Sequence, residues 1–129
     1  MLAAVVARSD GPDVISLAAD TFVAELKDGE IREYSLQPEQ LGFARESLQD
    51  LAVEGVEASL QLLTAALAGQ KDDRSQRAAH IIALNAGAAL YVAGVADSII
   101  DGVGIANEVL ASGAGGRKMQ QLADMTQAF

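Results

Sequence analysis

A chain that places alanine at 25 of its 129 positions and glycine at 12 can exclude water only by bringing its helices close together. Alanine fills little volume, so native packing density must come from short helix–helix distances rather than from large side chains. Tryptophan is absent and aromatic residues make up 4% of the chain, which removes the usual bulky anchors. Half of the residues are hydrophobic, enough for a globular core rather than a disordered tail. The composition points to tightly packed helices, or to a piece that expects more protein against it.

Hydrophobic periodicity orders the chain as strand, hairpin, then helices. Leu2–Ala7 is a continuous apolar run stopped by Arg8-Ser9-Asp10-Gly11-Pro12, the pattern of a strand buried on both faces. Such a strand needs neighbours, and little else here could supply a parallel sheet, a first sign of missing structure upstream. Thr21–Leu26 and Glu30–Leu36 flank Lys27-Asp28-Gly29; Phe22, Ala24 and Leu26 alternate with Val23 and Glu25. Asp-Gly between alternating segments predicts a hairpin, because glycine tolerates the positive φ of a primed turn.

From Pro38 the period becomes helical. Val56, Leu60, Leu63 and Leu67 make one stripe, closed by Gly69. Ala78, Ile81, Ile82, Asn85, Ala89 and Val92 make a second, closed by Gly94. Ser98 and Asp101 cap a third helix with a buried face of Val103, Ala106 and Leu110. Met119, Leu122, Met125 and Phe129 mark a fourth. The fold class is α/β: a partial mixed β-sheet with a β-hairpin, packed against about four α-helices.

Charge and composition exclude several functions. A net charge of −9, from 18 acids against 9 bases, repels phosphate backbones, and no basic patch offsets it, so no nucleic-acid partner is expected. Without cysteine there is no disulfide, thiolate nucleophile or zinc finger. Met1–Ala7 lacks the basic flank and apolar length of a signal peptide. Ala78–Ala96 carries His80 and Asn85 and is rich in Ala and Gly, so it predicts a core helix and no membrane span. A cytoplasmic location is expected.

Three stretches, in register, make the chain resemble the anthranilate phosphoribosyltransferase family, of the glycosyl transferase family 3 type. Asp10-Gly11-Pro12-Asp13-Val14-Ile15-Ser16 is similar to its D-G-L-D-E-I-S. Val23–Tyr34 followed by Pro38-Glu39-Gln40-Leu41-Gly42 resembles its passage from sheet to helices. Leu84–Gly94 is similar to its L-N-A-x-A-A-L-Y-V-A-G. The resemblance runs from about Leu2 to the end, and implies that residues 1–129 are a single partial domain, the C-terminal half of the phosphoribosyltransferase α/β domain, with the N-terminal helical domain absent.

It also implies transfer of phosphoribosyl from phosphoribosyl pyrophosphate to anthranilate, a step of tryptophan biosynthesis. Most of the family's apparatus lies upstream, in a G-T-G-G-D loop and a K-H-G-N stretch that this sequence lacks. The chain alone is therefore expected to be inactive, with no catalytic or substrate-binding residue of its own. What carries over is magnesium. Asp13 matches the first carboxylate of the D-E pair, while Val14 replaces the second, so weak or absent Mg²⁺ binding is expected. Pro12 for Leu, and Ser59-Leu60 for an N-A pair, are further departures. The partner is expected to be the chain's own upstream half or a self-associating copy. The alternative function is a non-catalytic packing or assembly module that pairs through an exposed sheet edge.

Other motifs carry less. Gly113-Ala114-Gly115-Gly116-Arg117-Lys118 lacks the strand and hydroxyl of a phosphate-binding loop and predicts a flexible helix–helix turn. His80, the only histidine, would need an orienting partner to act as a base and is expected at a helix boundary. Asn85, on an otherwise apolar face, is expected to anchor a loop or backbone group. Asp72-Asp73 beside Arg74 predicts a solvated turn.

Overall fold

A computed structural model describes residues 2–8, 15–47, 51 and 55–128. Strands β1 (Leu2–Arg8), β2 (Thr21–Lys27) and β3 (Glu30–Leu36) precede a 3₁₀ turn (Pro38–Leu41). Four helices follow: α1 (Gly55–Leu67), α2 (Asp73–Val92), α3 (Ile99–Ala111) and α4 (Ala114–Gln127). The expected α/β arrangement of a hairpin against four helices is present.

Asp28 at φ 53° and Gly29 at φ 81° make the primed turn that joins β2 to β3, in register from Thr21↔Leu36 to Lys27↔Glu30. β1 takes the other edge of β2, from Leu2↔Lys27 to Arg8↔Thr21. Both pairings are antiparallel, so among the described residues the sheet is antiparallel throughout rather than mixed. The strand expected to lack neighbours thus has one on its β2 side. β2 buries Thr21, Val23 and Glu25 and turns Phe22 outward.

Helix starts follow their caps. Asp72 accepts the Ser75 N–H at 3.0 Å, and Asp73 opens α2 and pairs with Arg77 at 2.9 Å. The pair expected in a solvated turn is instead the N-terminus of a 20-residue helix. The Ser75 hydroxyl and amide hold the Asp72 carboxyl below its usual range. Ser98 caps α3 through the Asp101 N–H at 3.1 Å, as the spacing predicts. No helix among the described residues is long and apolar enough to cross a membrane.

The core gathers Ile15, Leu17, Leu41 and Phe43 from the segments around the sheet, Ala83 and Leu84 from α2, and Val103, Ala106 and Leu110 from α3. α2 and α3 cross at Gly87 and Gly102. A methyl group built on Gly102 would stand 2.2 Å from the Gly87 carbonyl oxygen. This is the close approach that an alanine- and glycine-rich chain requires.

Two helices depart from expectation. On α1 the first three residues of the stripe face outward, Val56 at 86% exposed, Leu60 at 54% and Leu63 at 42%, while Leu67 packs against the core and Ala66 is buried. Periodicity locates an apolar face but not its cover. The glycine run does not form a flexible turn. Gly113 alone makes the corner, at φ 75°, while Gly115 and Gly116 lie in the first turn of α4 against Leu67.

Candidate functional site

The best-organised polar feature beside a functionally suggestive segment is the grip of α2 on the chain leaving β1. Asn85 projects from an otherwise apolar helix face. Its Oδ1 accepts the Ile15 N–H at 2.9 Å, and its Nδ2 donates to Ile15 O at 3.1 Å and to Ile81 O at 2.9 Å. Both donors of the amide and its oxygen are engaged, as a half-buried amide requires. The expectation that Asn85 anchors a backbone group is met.

The segment that Asn85 grips is tied at every step. Ser16 N–H donates to Thr21 Oγ1 at 3.3 Å and Ala18 N–H to Ser16 Oγ at 3.0 Å, closing a small turn. Glu46 N–H donates to Leu17 O at 3.0 Å. Ile15 and Leu17 are 2% and 0% exposed, so their side chains anchor in the core. Arg45 adds an outer brace, to Asp20 at 2.7 Å and to Glu39 at 3.0 Å. Its guanidinium holds both carboxyls below their usual range.

A second polar cluster lies between the hairpin and the end of α2. Glu25 on β2, 6% exposed, accepts the Tyr91 hydroxyl of α2, and Tyr34 of β3 stands beside it. The Tyr34 phenol is pushed up to about 12, by burial first and then by the Glu25 carboxylate. Tyr91 is raised chiefly by its hydrogen bond to Glu25. This cluster is not among the residues the sequence singles out. The available signal was an acidic residue in phase with Val23 on a strand followed by tyrosines.

His80 lies two turns into α2 rather than at its boundary, with its ring centroid 4.8 Å from that of Phe43. Its Nδ1 is 3.9 Å from Glu46 Oε2, beyond hydrogen-bond reach, and among the described residues this nitrogen has no hydrogen-bond partner to orient it as a base.

Residues 1–115 match the model of the glycosyl transferase family, a/b domain. The chain belongs to that family. The anthranilate phosphoribosyltransferase of Marinobacter nauticus is 50% identical over 125 residues, which are 97% of this chain and 36% of that protein. The crystal structure of anthranilate phosphoribosyltransferase from Thermus thermophilus superposes with a TM-score of 0.79 at 32% identity, over 93% of this chain and 34% of that one. The Saccharomyces cerevisiae enzyme in complex with PRPP and Mg shares the fold at 19% identity, with a TM-score of 0.80. This glycosyl transferase domain thus spans about 36% of the length of the curated relatives it matches.

Asp13 and Val14, where the resemblance places the metal, lie outside the described residues of this transferase domain. Among the described residues no three His, Cys, Asp or Glu side chains gather as a metal site. Mg²⁺ takes about six oxygens at roughly 2.0–2.1 Å, often one or two carboxylates completed by water and phosphate oxygens. The Val14 side chain offers none. Of that pair one carboxylate is left, and the remaining oxygens of such a shell would have to come from elsewhere.

Proposed function

We propose that this chain is the carboxyl-terminal part of the α/β domain of an anthranilate phosphoribosyltransferase, a single partial domain over residues 1–129, inactive until the rest of that fold is present. In the reaction, the anthranilate amine attacks the anomeric carbon of phosphoribosyl pyrophosphate and magnesium-bound pyrophosphate departs. A catalyst must neutralise that leaving group and orient the amine. In this reading Asp13 contributes one carboxylate to the magnesium diphosphate, in the cytoplasm.

The observation that carries the reading is an apolar groove of about 550 Å³ lined by Leu67, Ile82, Leu90, Ile105 and Val109 among others. Ile105 and Val109 are 38% and 45% exposed, and α1 separately exposes Val56, Leu60 and Leu63. Exposed apolar surface in a groove of this size, on a strongly acidic chain, supports a covering partner. The occupant proposed is the portion of the transferase fold that this chain does not match, in the same polypeptide or another.

The test is an assay of the pure 129-residue chain, alone and mixed with the unmatched portion of the M. nauticus relative. No turnover is expected from the chain and measurable turnover from the mixture. Turnover by the chain alone, or a stable complex without activity, would overturn the reading. A companion measurement addresses the metal: Val14→Glu is expected to raise affinity for Mn²⁺ with pyrophosphate at least tenfold. Equal titrations of the two forms would remove Asp13 from this role.

A second reading, self-association through the sheet edge, rests on β1. Among the described residues this strand has a partner on one side only, and its sequence is Leu-Ala-Ala-Val-Val-Ala-Arg. It expects a dimer by light scattering, and a cooperative monomer would exclude it.

A further inference from the structure

An antiparallel sheet with one wet face turns its apolar residues inward and its polar ones outward. β2 does the reverse. Two of its three buried residues, Thr21 and Glu25, are polar, while the alternate positions that face away from the core are Phe22, Ala24 and Leu26. Residues opposite each other in an antiparallel pair share a face, so β3 adds Ser35 beside Phe22, Glu33 beside Ala24 and Ile31 beside Leu26. Phe22 is 54% exposed and Ile31 73%. On the other side of β2 the register sets Ala7, Val5 and Ala3 opposite the same three residues.

The inner face has its cover, since Val23 is buried and Tyr91 of α2 reaches Glu25. The described helices leave the outer face open. Three strands about 4.8 Å apart, each rising about 3.3 Å per residue, make that face roughly 10 Å wide and 20 Å long. One α-helix of about four turns lying along the strands has those dimensions. Ser35 and Glu33 stand on β3, so the polar rim falls on that side and the apolar rows run toward β1.

We propose that the outer face of the hairpin sheet is a docking surface for an amphipathic helix of the transferase fold outside this chain, which makes the sheet a middle layer between two layers of helices. The inference rests on the reading of the chain as part of a larger fold and adds a second contact surface to it. The groove described above is lined by residues of the four helices alone, so the two surfaces are separate. Two observations choose this occupant. The match covers 36% of the M. nauticus relative, so most of that protein's length is available to supply a helix. A second copy would bring together two chains of net charge −9, which repel each other.

The experiment coexpresses the 129-residue chain with the unmatched portion of the M. nauticus relative, and that relative's own matched segment serves as the positive control. The chain has no cysteine, so Phe22→Cys, Ile31→Cys and Glu30→Cys each place one thiol at a chosen point. Glu30 is exposed, next to Ile31 in β3 and therefore on the other face. Maleimide labelling is followed by the mass of this chain, alone and in the complex. The thiols at positions 22 and 31 are expected to react at least tenfold more slowly in the complex, and the thiol at position 30 within twofold of its free rate. Ile31→Thr, which keeps strand propensity, is expected to weaken the complex about tenfold and leave the Tm of the lone chain within about 3 °C. Undiminished labelling at 22 and 31 in a complex that forms, or full affinity in Ile31→Thr, would overturn the outer-face contact and leave the larger-fold reading standing. Equal protection at position 30 would mean general occlusion of the hairpin and overturn it too. Slow labelling at 22 and 31 in a lone chain that light scattering shows to be a dimer would make a second copy the occupant and overturn the choice of partner. No complex with this chain, where the relative's own segment forms one, would instead overturn the reading beneath.

Discussion

Gly102→Ala is expected to destabilise the chain by at least about 3 kcal/mol, at or beyond the upper end of the usual overpacking cost. The new methyl would lie 2.2 Å from the Gly87 carbonyl oxygen and 2.9 Å from its carbonyl carbon. These are backbone atoms within α2, so no side-chain rotation relieves the clash. The helices must separate, and separation strips contacts from Leu84, Val103 and Ala106, which hold the core between α2 and α3. Gly87→Ala meets the same barrier from the other side, with Val103 N at 2.4 Å and Val103 Cα at 2.7 Å. For a domain of this size the loss corresponds to a fall in Tm of roughly 10 °C or more. Gly104 is the internal control: it is in the same helix, and a methyl there meets nothing within 4 Å. Gly104→Ala should be stabilising by about 0.5–1 kcal/mol, since alanine is the better helix former. Thermal melts of the three variants check both signs, and a Gly102→Ala melt matching that of Gly104→Ala would refute the close crossing.

That crossing explains which parts of the fold were legible in the sequence. α3 could be read almost whole: Ser98 caps it, and Val103, Ala106 and Leu110 are its buried face. The hairpin was equally open, because Asp28-Gly29 names its own turn. What the residues do not carry is the identity of the covering surface. The apolar series Val56, Leu60, Leu63 has helical spacing and faces outward, while Ala66 and Leu67 are the residues of α1 turned inward. In β2 the alternation was visible but its phase was not. Phe22 is exposed while Glu25 is buried, because Glu25 meets hydroxyl groups on two other elements that only the tertiary fold brings together. The site divides in the same way. Asn85 betrayed an anchoring role, since a lone amide on an apolar face must be satisfied, but its target, the Ile15 peptide, is 70 residues away in sequence.

Tyr91→Phe is expected to cost about 1.5–3 kcal/mol, the usual worth of a hydrogen bond to a charged group. The Tyr91 hydroxyl reaches across from α2 to Glu25 Oε1, and Glu25 is 6% exposed. Phenylalanine retains the ring and its packing, so the loss isolates the hydroxyl and leaves a buried carboxylate short of a donor. The same cluster sets an alkaline limit on stability. An unfolded tyrosine titrates near 10, whereas Tyr34 in the fold is pushed up to about 12 and Tyr91 is also raised. In both, the neutral phenol is the form the fold prefers. Their contribution is therefore complete below about pH 10 and is lost as pH rises toward 12, where the unfolded chain gains by ionising first. Melting temperature should fall across that window in the natural chain and fall less steeply in Tyr34→Phe/Tyr91→Phe. The absence of tryptophan, with only two tyrosines, makes tyrosinate absorbance a direct readout. Both phenols should titrate late in the folded chain and near 10 in denaturant. A folded chain whose tyrosines ionise together near 10 would mean that Glu25 does not face them, and that the hairpin is not fastened to α2 in this way.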